Sequence, residues 1–372
     1  MEPVGWVHQD LAGLQEIPSQ REDLSCYMYR IEEDLERDPT VVRRTGKQIF
    51  YAPLYWSQPE YILTCSMSDW FHRAADKWRD EAWEIIRQTP EHVYRILTKR
   101  PELIRERDTN GNVIKDRLPE NWDSDYDTVW RHVHLGTTVE SQQYAEGYTH
   151  PVKGWVEGRM SILRKIPCTV RWISCEPLLG PVKLKLDGYS WVVAGGESDR
   201  DVPRPPTSPG SPAVFLDLQQ QAAQAHIPFL FLALGGSKPC HCDCKSRWGC
   251  RRLSGALSQQ FPFPTLVAQG QLSKDDKERK IKKAKLLRVL SINGVKKFGD
   301  TTQHCINWET YKQTNTELYK VLLTEPINSS ILNQLQTELP ELNLRLETWP
   351  QKGTPMLETP PTVILETAHR SR

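Results

Sequence analysis

The sequence predicts an α/β protein in which strands and helices alternate around a full or partial barrel. Strand-like runs recur along the chain, most of them end in polar or charged residues, and helix-like stretches separate several of them. The runs cover residues 61–69, 92–101, 132–140, 170–177, 191–198 and 229–234. Six strands can be identified in this way. A (β/α)6 partial barrel and a complete eight-unit barrel therefore both remain open.

The segments between the runs indicate helices and loops. Apolar residues recur on one face of 76–88 until Pro90 ends the pattern, and a second helix precedes Pro167. A third is predicted over 213–226, before the apolar run that fits a strand buried on both faces. Residues 107–125 are rich in Asp, Asn, Gly and Pro, which predicts an exposed loop.

Composition narrows the class of protein. The chain has 372 residues and a net charge of +1, so any preference for nucleic acid must be local. No apolar run approaches the roughly 20 residues that cross a bilayer, and the N-terminus lacks the pattern of a signal peptide. A soluble, cytoplasmic protein without a membrane partner is expected. Its cysteines are then free thiols or metal ligands, with Cys65, Cys168 and Cys175 expected in the core.

Changes of composition predict five regions. They are a lead-in tail (1–20), the barrel (21–235), a Cys-rich loop (236–263), a basic extension of small α+β type (264–347) and a disordered tail (348–372). Within the extension, 274–297 carries ten Lys or Arg residues against three acids, mostly on a predicted helix. Such a segment either contacts nucleic-acid phosphates or is a solvated helix face.

Charged residues at the strand ends form the predicted site. In parallel barrels the C-terminal strand ends build the active site. The candidate catalytic residues are Asp69, Lys99, Arg100, Glu140, Glu176 and Glu197. Lys99 and Arg100 either bind a phosphate or carboxylate or are surface charge near a helix start. Gly195 and Gly196 either allow close approach of the backbone to a ligand or form a tight turn.

Ordered motifs between Cys26 and about Leu253 suggest a family. They include Cys26-Tyr27-Met28, Thr64-Cys65-Ser66-Met67-Ser68-Asp69, Leu97-Thr98-Lys99-Arg100-Pro101, Leu135-Gly136-Thr137-Thr138-Val139-Glu140, Ser174-Cys175-Glu176-Pro177 and Gly195-Gly196-Glu197. This segment resembles a family of unknown function encoded by phages and prophages. It is also called the three-Cys-motif family and is related to radical S-adenosylmethionine (radical-SAM) proteins.

The resemblance implies a radical-SAM-like partial (β/α)6 barrel of TIM type. In that chemistry three cysteines hold a four-iron (4Fe-4S) cluster, and S-adenosylmethionine chelates the remaining iron. The resemblance places Asp69 near the amino group of S-adenosylmethionine. It also makes Cys26, Ser66, Ser68, Gly195 and Gly196 candidates for binding the cofactor. The phage setting implies a nucleic acid or a nucleotide as substrate.

The chain departs from the family at the cluster motif. It keeps only Cys26, while Glu16 and Asp23 stand near the positions of the other two cysteines. Carboxylates are poor substitutes for thiolates on such a cluster, so the usual cluster is expected to be absent. Loss of the chemistry, a different N-terminus, or ligands from elsewhere in the chain would each explain this departure.

A second group of cysteines lies downstream. Cys240, His241, Cys242, Cys244 and Cys250 fall within eleven residues, after the strand-like run 229–234. Such a set suits zinc or an auxiliary iron–sulfur cluster, with a structural zinc ion favoured, and incidental thiols are the alternative. Two hypotheses follow. The protein is a radical-SAM-like enzyme, or it is a non-catalytic, zinc-stabilised protein that binds nucleic acid or regulates.

Overall fold

The structure is a computed structural model that describes most of the chain. The chain forms two compact units. The units are Met1–Tyr189 and Ser190–Arg372. The described residues are 6–7, 44–65, 68–152, 154–197, 212–235, 252–253, 256–257, 260–271, 276–298 and 316–348.

The first unit alternates strands and helices as the sequence predicts. Its strands are β1 (Trp6–Val7), β2 (Tyr61–Thr64), β3 (Val93–Thr98), β4 (Arg105–Arg107), β5 (Val113–Asp116), β6 (Val133–Thr138), β7 (Gly147–His150), β8 (Gly154–Glu157) and β9 (Val170–Cys175). Its helices are α1 (Lys47–Phe50), α2 (Asp76–Gln88), α3 (Trp122–Asp125), α4 (Gln142–Glu146) and α5 (Arg159–Arg164).

Four of these strands form a parallel sheet in the order β2-β3-β6-β9, and β1 pairs antiparallel with β2. Ile62 pairs with Tyr94, Tyr94 with Val133, and His134 with Val170. Parallel neighbours need a long crossover, and α2 and α5 lie in two of the crossovers. The C-terminal ends of all four strands therefore lie at one edge.

One face of this sheet packs against the crossover helices. Tyr94 shares a hydrogen bond of 2.5 Å with Thr89, which follows α2, and Arg171 donates to the carbonyl of Leu163 in α5. The neighbouring positions Ile62 and Ile96 are fully buried. This face is the hydrophobic layer that the apolar strand runs predict.

The opposite face carries larger polar and aromatic side chains. The Arg95 guanidinium lies 4.2 Å from the centre of the Tyr61 ring, and the Tyr61 and His134 rings are 5.8 Å apart. A Cβ atom at Gly136 would come within 2.3 Å of the Trp172 indole. A glycine at 136 is therefore what allows the indole to lie across β6.

The second unit contains a parallel pair and a separate antiparallel sheet. Its strands are β10 (Trp191–Ala194), β11 (Phe229–Phe231), β12 (Arg252–Leu253), β13 (Ala256–Leu257), β14 (Thr265–Gln271), β15 (Thr316–Leu322) and β16 (Leu342–Glu347). Its helices are α6 (Ala213–Gln224), α7 (Asp276–Ile292) and α8 (Ser329–Glu338). β10 and β11 run parallel, with α6 between them in the chain. β12 and β13 form a short antiparallel pair.

The antiparallel sheet has the order β15-β14-β16, with β14 antiparallel to both neighbours. β15, α8 and β16 thus form a βαβ unit that is split by the central strand. The sheet and the two helices α7 and α8 share one hydrophobic core, which includes Leu266, Ala268, Leu286, Val289, Tyr319, Val321, Leu335 and Leu344. This part of the second unit therefore combines an antiparallel sheet with two helices.

The predicted elements mostly form where expected. Six parallel strands are described, four in the first unit and two in the second, and α2 has the predicted bounds. The coarse prediction of a mixed α/β protein is confirmed, while a barrel of TIM type, partial or complete, stays a prediction. Residues 107–125 depart from the expected loop, because a hairpin of β4 and β5 and the helix α3 use part of them. No helix in the described part of the chain is long and apolar enough to cross a membrane.

Candidate functional site

The strand-end edge of the first unit brings together five of the predicted site residues. Asp69 follows β2, Lys99 and Arg100 follow β3, Glu140 follows β6, and Glu176 follows β9. Their side chains are linked by hydrogen bonds, ion pairs and electrostatic interactions. We call this group of residues, together with Arg159, the strand-end site.

The Asp69 carboxylate is engaged by four donors. One oxygen accepts from the Phe71 amide at 3.0 Å and the Thr98 hydroxyl at 2.8 Å. The other accepts from the Lys99 amide at 2.9 Å and the Arg100 guanidinium at 3.1 Å. Asp69 is also buried. This carboxylate therefore fastens the end of β2 to the end of β3, and little of its acceptor capacity is left for a ligand.

Glu140 is held between two cations. One oxygen pairs with the Lys99 ammonium, and the other accepts from Arg159 at 3.1 Å. The same Arg159 nitrogen donates to the carbonyl of Thr138, and its guanidinium lies 3.9 Å from the centre of the Tyr144 ring. Arg159 is the first residue of α5 and does not follow a strand. The pattern of charged residues at strand ends therefore does not identify it as a site residue.

Glu176 has a different environment. The carboxyl group is half-buried, and no residue that the structure describes donates a hydrogen bond to it. Burial raises its pKa to about 7, against the lowering effect of the Lys99 ammonium. The loop that follows is fixed to the site, because the Leu179 amide donates to the Glu140 carbonyl at 2.8 Å.

Two hydroxyl groups near the strand ends have unused hydrogen-bonding capacity. The oxygens of Ser68 and Thr138 are buried and have no partner among the described residues. Thr138 pairs with Ser174 across β6 and β9, so the two side chains share a face of the sheet. Buried hydroxyls are usually satisfied, and an unsatisfied one here is a position at which a polar ligand group would bind.

Two histidines of this unit, His72 and His134, have lowered pKa values. The Nδ1 atom of His72 accepts from the Ala74 amide at 3.2 Å, and burial and the nearby Arg100 lower its pKa. His134 is buried, and burial lowers its pKa to about 3. Both imidazoles are therefore neutral at physiological pH.

Three predicted residues belong to the second unit. Gly195, Gly196 and Glu197 follow β10. A Cβ atom at Gly196 would lie 1.9 Å from the carbonyl oxygen of Leu234, so close packing of the loop after β11 already requires a glycine. Gly235, in that second loop, has a φ of +84° and approaches the backbone of Glu197.

The other cofactor and metal candidates lie outside the described residues. They are Cys26, Ser66, Cys240, His241, Cys242, Cys244 and Cys250. Among the residues that are described, no group of three or more His, Cys, Asp or Glu side chains could hold a metal ion. Cys65, Cys168 and Cys175 are buried, as expected for core residues, and burial raises the pKa of Cys175 to about 12.

The donor set does not fit the four-iron cluster of radical-SAM proteins. Residues 1–25 contain no cysteine, and Cys26 is the only one before Cys65. Cys65 lies in the hydrophobic core. A single thiolate at the family position cannot replace the three that such a cluster uses.

The fold and the site thus define a class of protein. It is a mixed α/β protein with a charged site at the ends of its parallel strands. A family of proteins described as "Protein of unknown function (DUF5131)" matches residues 24–262, which is more than half of the chain. The chain belongs to this family. No curated protein and no solved structure matches it.

Proposed function

We propose that the protein is an enzyme that modifies a nucleotide or a nucleic acid at the strand-end site, with Glu176 as its acid–base group. One observation carries the proposal. The Glu176 carboxyl lies half-buried beside Lys99 at the end of β9 and receives no hydrogen bond within the described part of the chain. A structural carboxylate would be expected to have donors, as Asp69 has.

The acidity of Glu176 supports this role. Its pKa of about 7 means that the protonated and ionised forms are both present near neutral pH. A group in this range can accept a proton from a substrate and return it without a large energetic penalty. The nearby Lys99 ammonium favours the ionised form and so keeps the carboxyl available as a base.

The neighbouring groups suit a ligand that bears phosphate and hydroxyl groups. The Lys99 side chain is 52% exposed although it pairs with Glu140, so a phosphate can approach its ammonium from solvent. The unsatisfied hydroxyls of Ser68 and Thr138 can donate to phosphate or accept from ribose hydroxyls. A nucleotide offers both kinds of group.

In this proposal the resemblance to radical-SAM proteins reflects common ancestry and not a shared reaction. The cluster does not fit the donor set, so no step is assigned to it. Asp69, which the resemblance places near the amino group of S-adenosylmethionine, is proposed to position the ends of β2 and β3. S-adenosylmethionine is kept as one nucleoside ligand to be tested.

Turnover of a panel of substrates tests the proposal. Nucleoside phosphates, S-adenosylmethionine and short DNA and RNA strands would be incubated with the protein and examined for mass changes. We expect Glu176→Gln to abolish turnover without changing the melting temperature by more than a few degrees. Glu120→Gln is the matched control, because Glu120 is exposed and precedes α3. Binding of none of these ligands below about 1 mM would contradict the proposal.

A second candidate is a non-catalytic nucleic-acid-binding or regulatory protein, which the exposed face of α7 favours. Lys277, Ile281, Lys285 and Arg288 are exposed on this helix, while Leu286 and its neighbours pack in the core. Exposed lysines on one helix face are suited to phosphate contacts. Zinc at the downstream cysteines would stabilise such a protein, and Cys242→Ser with Cys244→Ser would then release metal and lower the melting temperature.

DNA binding at two salt concentrations tests the second candidate. Lys277→Ala with Lys285→Ala should weaken binding uniformly across sequences and flatten the dependence of log affinity on log salt, by roughly one unit for each lost phosphate contact. Lys115→Ala, an exposed lysine of the first unit, is the control. Equal binding by the double variant and the control would exclude α7 as the interface.

A further inference from the structure

We propose that Trp155, on the hairpin of β7 and β8, is a platform on which a base of a single-stranded nucleic acid stacks. The inference rests on the proposed function, because it names the substrate class of the strand-end site. It uses a different set of residues, and the two can be tested apart.

The indole of Trp155 is held by the hairpin on one side and is largely exposed to solvent. Trp155 pairs with Thr149 across the hairpin and is 65% exposed. A Cβ atom at Gly147 would come 2.7 Å from Cζ2 of the ring, so the indole rests against a residue without a side chain. Gly147 also has a φ of +118°, which favours glycine at this position. One side of the ring is therefore supported by the hairpin, and solvent reaches the rest of the ring.

The root of the hairpin adjoins the strand-end site. The Gly158 amide donates to the Glu146 carbonyl at 3.2 Å, which closes the hairpin at its base. The next residue, Arg159, reaches the Thr138 carbonyl and the Glu140 carboxylate. A strand whose phosphate approaches Lys99, the partner of Glu140, would therefore lie near the base of the hairpin.

The chemistry of the hairpin favours a nucleic acid over an apolar protein partner. Residues 148–156 include His150 and Lys153. The acids on either side of them, Glu146 and Glu157, are paired with Lys185 and Lys165, which reduces their repulsion of phosphates. The face of the hairpin that carries Trp155 also presents Thr149, Gly147 and Glu157. The Trp155 ring and the exposed Val152 at the tip of the hairpin form a small area for a protein interface, whereas each base has a face that can stack on the ring.

Paired oligonucleotides test the inference. The binding of a fluorescent thymidine 12-mer and of an abasic 12-mer with the same phosphates would be measured by anisotropy in about 50 mM salt. We expect the native protein to prefer the strand with bases. Trp155→Ala should weaken binding of that strand by roughly 5- to 150-fold and leave the abasic strand unchanged, since stacking contributes about 1–3 kcal/mol per base. Trp155→Phe should retain most of the preference.

Several outcomes would overturn the inference. Equal affinity of the native protein for both strands would do so, as would a Trp155→Ala variant that keeps the preference with an unchanged melting temperature. A change from dimer to monomer in Trp155→Ala, without a change in oligonucleotide binding, would assign the ring to a copy of the chain instead. Glu176→Gln separates the two proposals. Retained binding with lost turnover supports both, and retained turnover removes only the role of Glu176.

Discussion

Two carboxylates at the same edge of the first unit have opposite surroundings. Asp69 and Glu176 both follow buried parallel strands, and both are predicted site residues. Asp69 accepts four hydrogen bonds, whereas Glu176 accepts none within the described part of the chain. Placement at a strand end brings a carboxylate to the site, and the donors around it decide whether it holds the fold together or is free to react.

The cause of the difference lies in the neighbouring chain. Asp69 meets the amides of Phe71 and Lys99 and the hydroxyl of Thr98. Glu176 is followed by Pro177, which has no amide hydrogen to donate. The nearest cation, Lys99, is already paired with Glu140.

Removing the Asp69 carboxylate should have the largest effect on stability. Asp69→Ala leaves a buried hydroxyl and two amides without their acceptor, and we expect the free energy of unfolding to fall by about 2–4 kcal/mol. Chemical denaturation measures the loss. Glu176→Ala is the matched change, and its cost should remain below about 1 kcal/mol because no donor is orphaned. Equal losses for the two variants would erase the contrast between them.

The raised pKa of Glu176 should be detectable in the pH dependence of the free energy of unfolding. Its pKa of about 7 in the folded protein lies above the ordinary 4.5, so the folded protein keeps a proton that the unfolded chain has released. This contribution is fully present below about pH 4.5 and is lost as the pH rises through about 7. Between pH 5 and 8 we expect the native protein to lose about 2 kcal/mol relative to Glu176→Gln. Parallel curves for the two proteins would contradict the assignment.

Neutralising Lys99 should shift the titration of Glu176. Lys99→Met removes a positive charge that favours the ionised carboxyl, so the pKa of Glu176 should rise further, by roughly half a unit to one unit. The titration can be followed by carbon NMR of labelled glutamate. Lys115→Met is the control, because Lys115 is exposed on β5. A lowered pKa would mean that Lys99 does not face Glu176 in solution.

The smallest expected effect concerns Thr138. Its hydroxyl has no partner in the described part of the chain, so Thr138→Val should change the free energy of unfolding by less than about 1 kcal/mol and can raise it. If the hydroxyl binds a substrate group, the same variant should weaken nucleotide binding several-fold in calorimetry. A marked loss of stability would show that the hydroxyl has a structural partner.

The sequence was sufficient to predict which residues lie together at the strand ends. It was insufficient to predict the chemical role of each residue. Strand runs ending in charged residues predicted which side chains share an edge, and Asp69, Lys99, Glu140 and Glu176 do share it. The pattern could not rank Asp69 against Glu176, because periodicity does not show which donors surround a carboxylate. Those of Asp69 come from Phe71 and from the residues at and just after the end of β3.

Two parts of the site had no signal in the sequence. Arg159 reaches Glu140 from the start of the helix that follows the hairpin of β7 and β8. The hairpin itself contains glycine, proline and histidine in place of an alternating apolar pattern, so it was not recognised.

The contact between Gly136 and Trp172 has a consequence for the evolution of this family. An indole at 172 occupies the space that any side chain at 136 would need. We therefore expect the two positions to change in step among relatives, with a larger residue at 136 accompanied by a smaller one at 172. A bulky pair in any relative would require that the two strands there be spaced or paired differently.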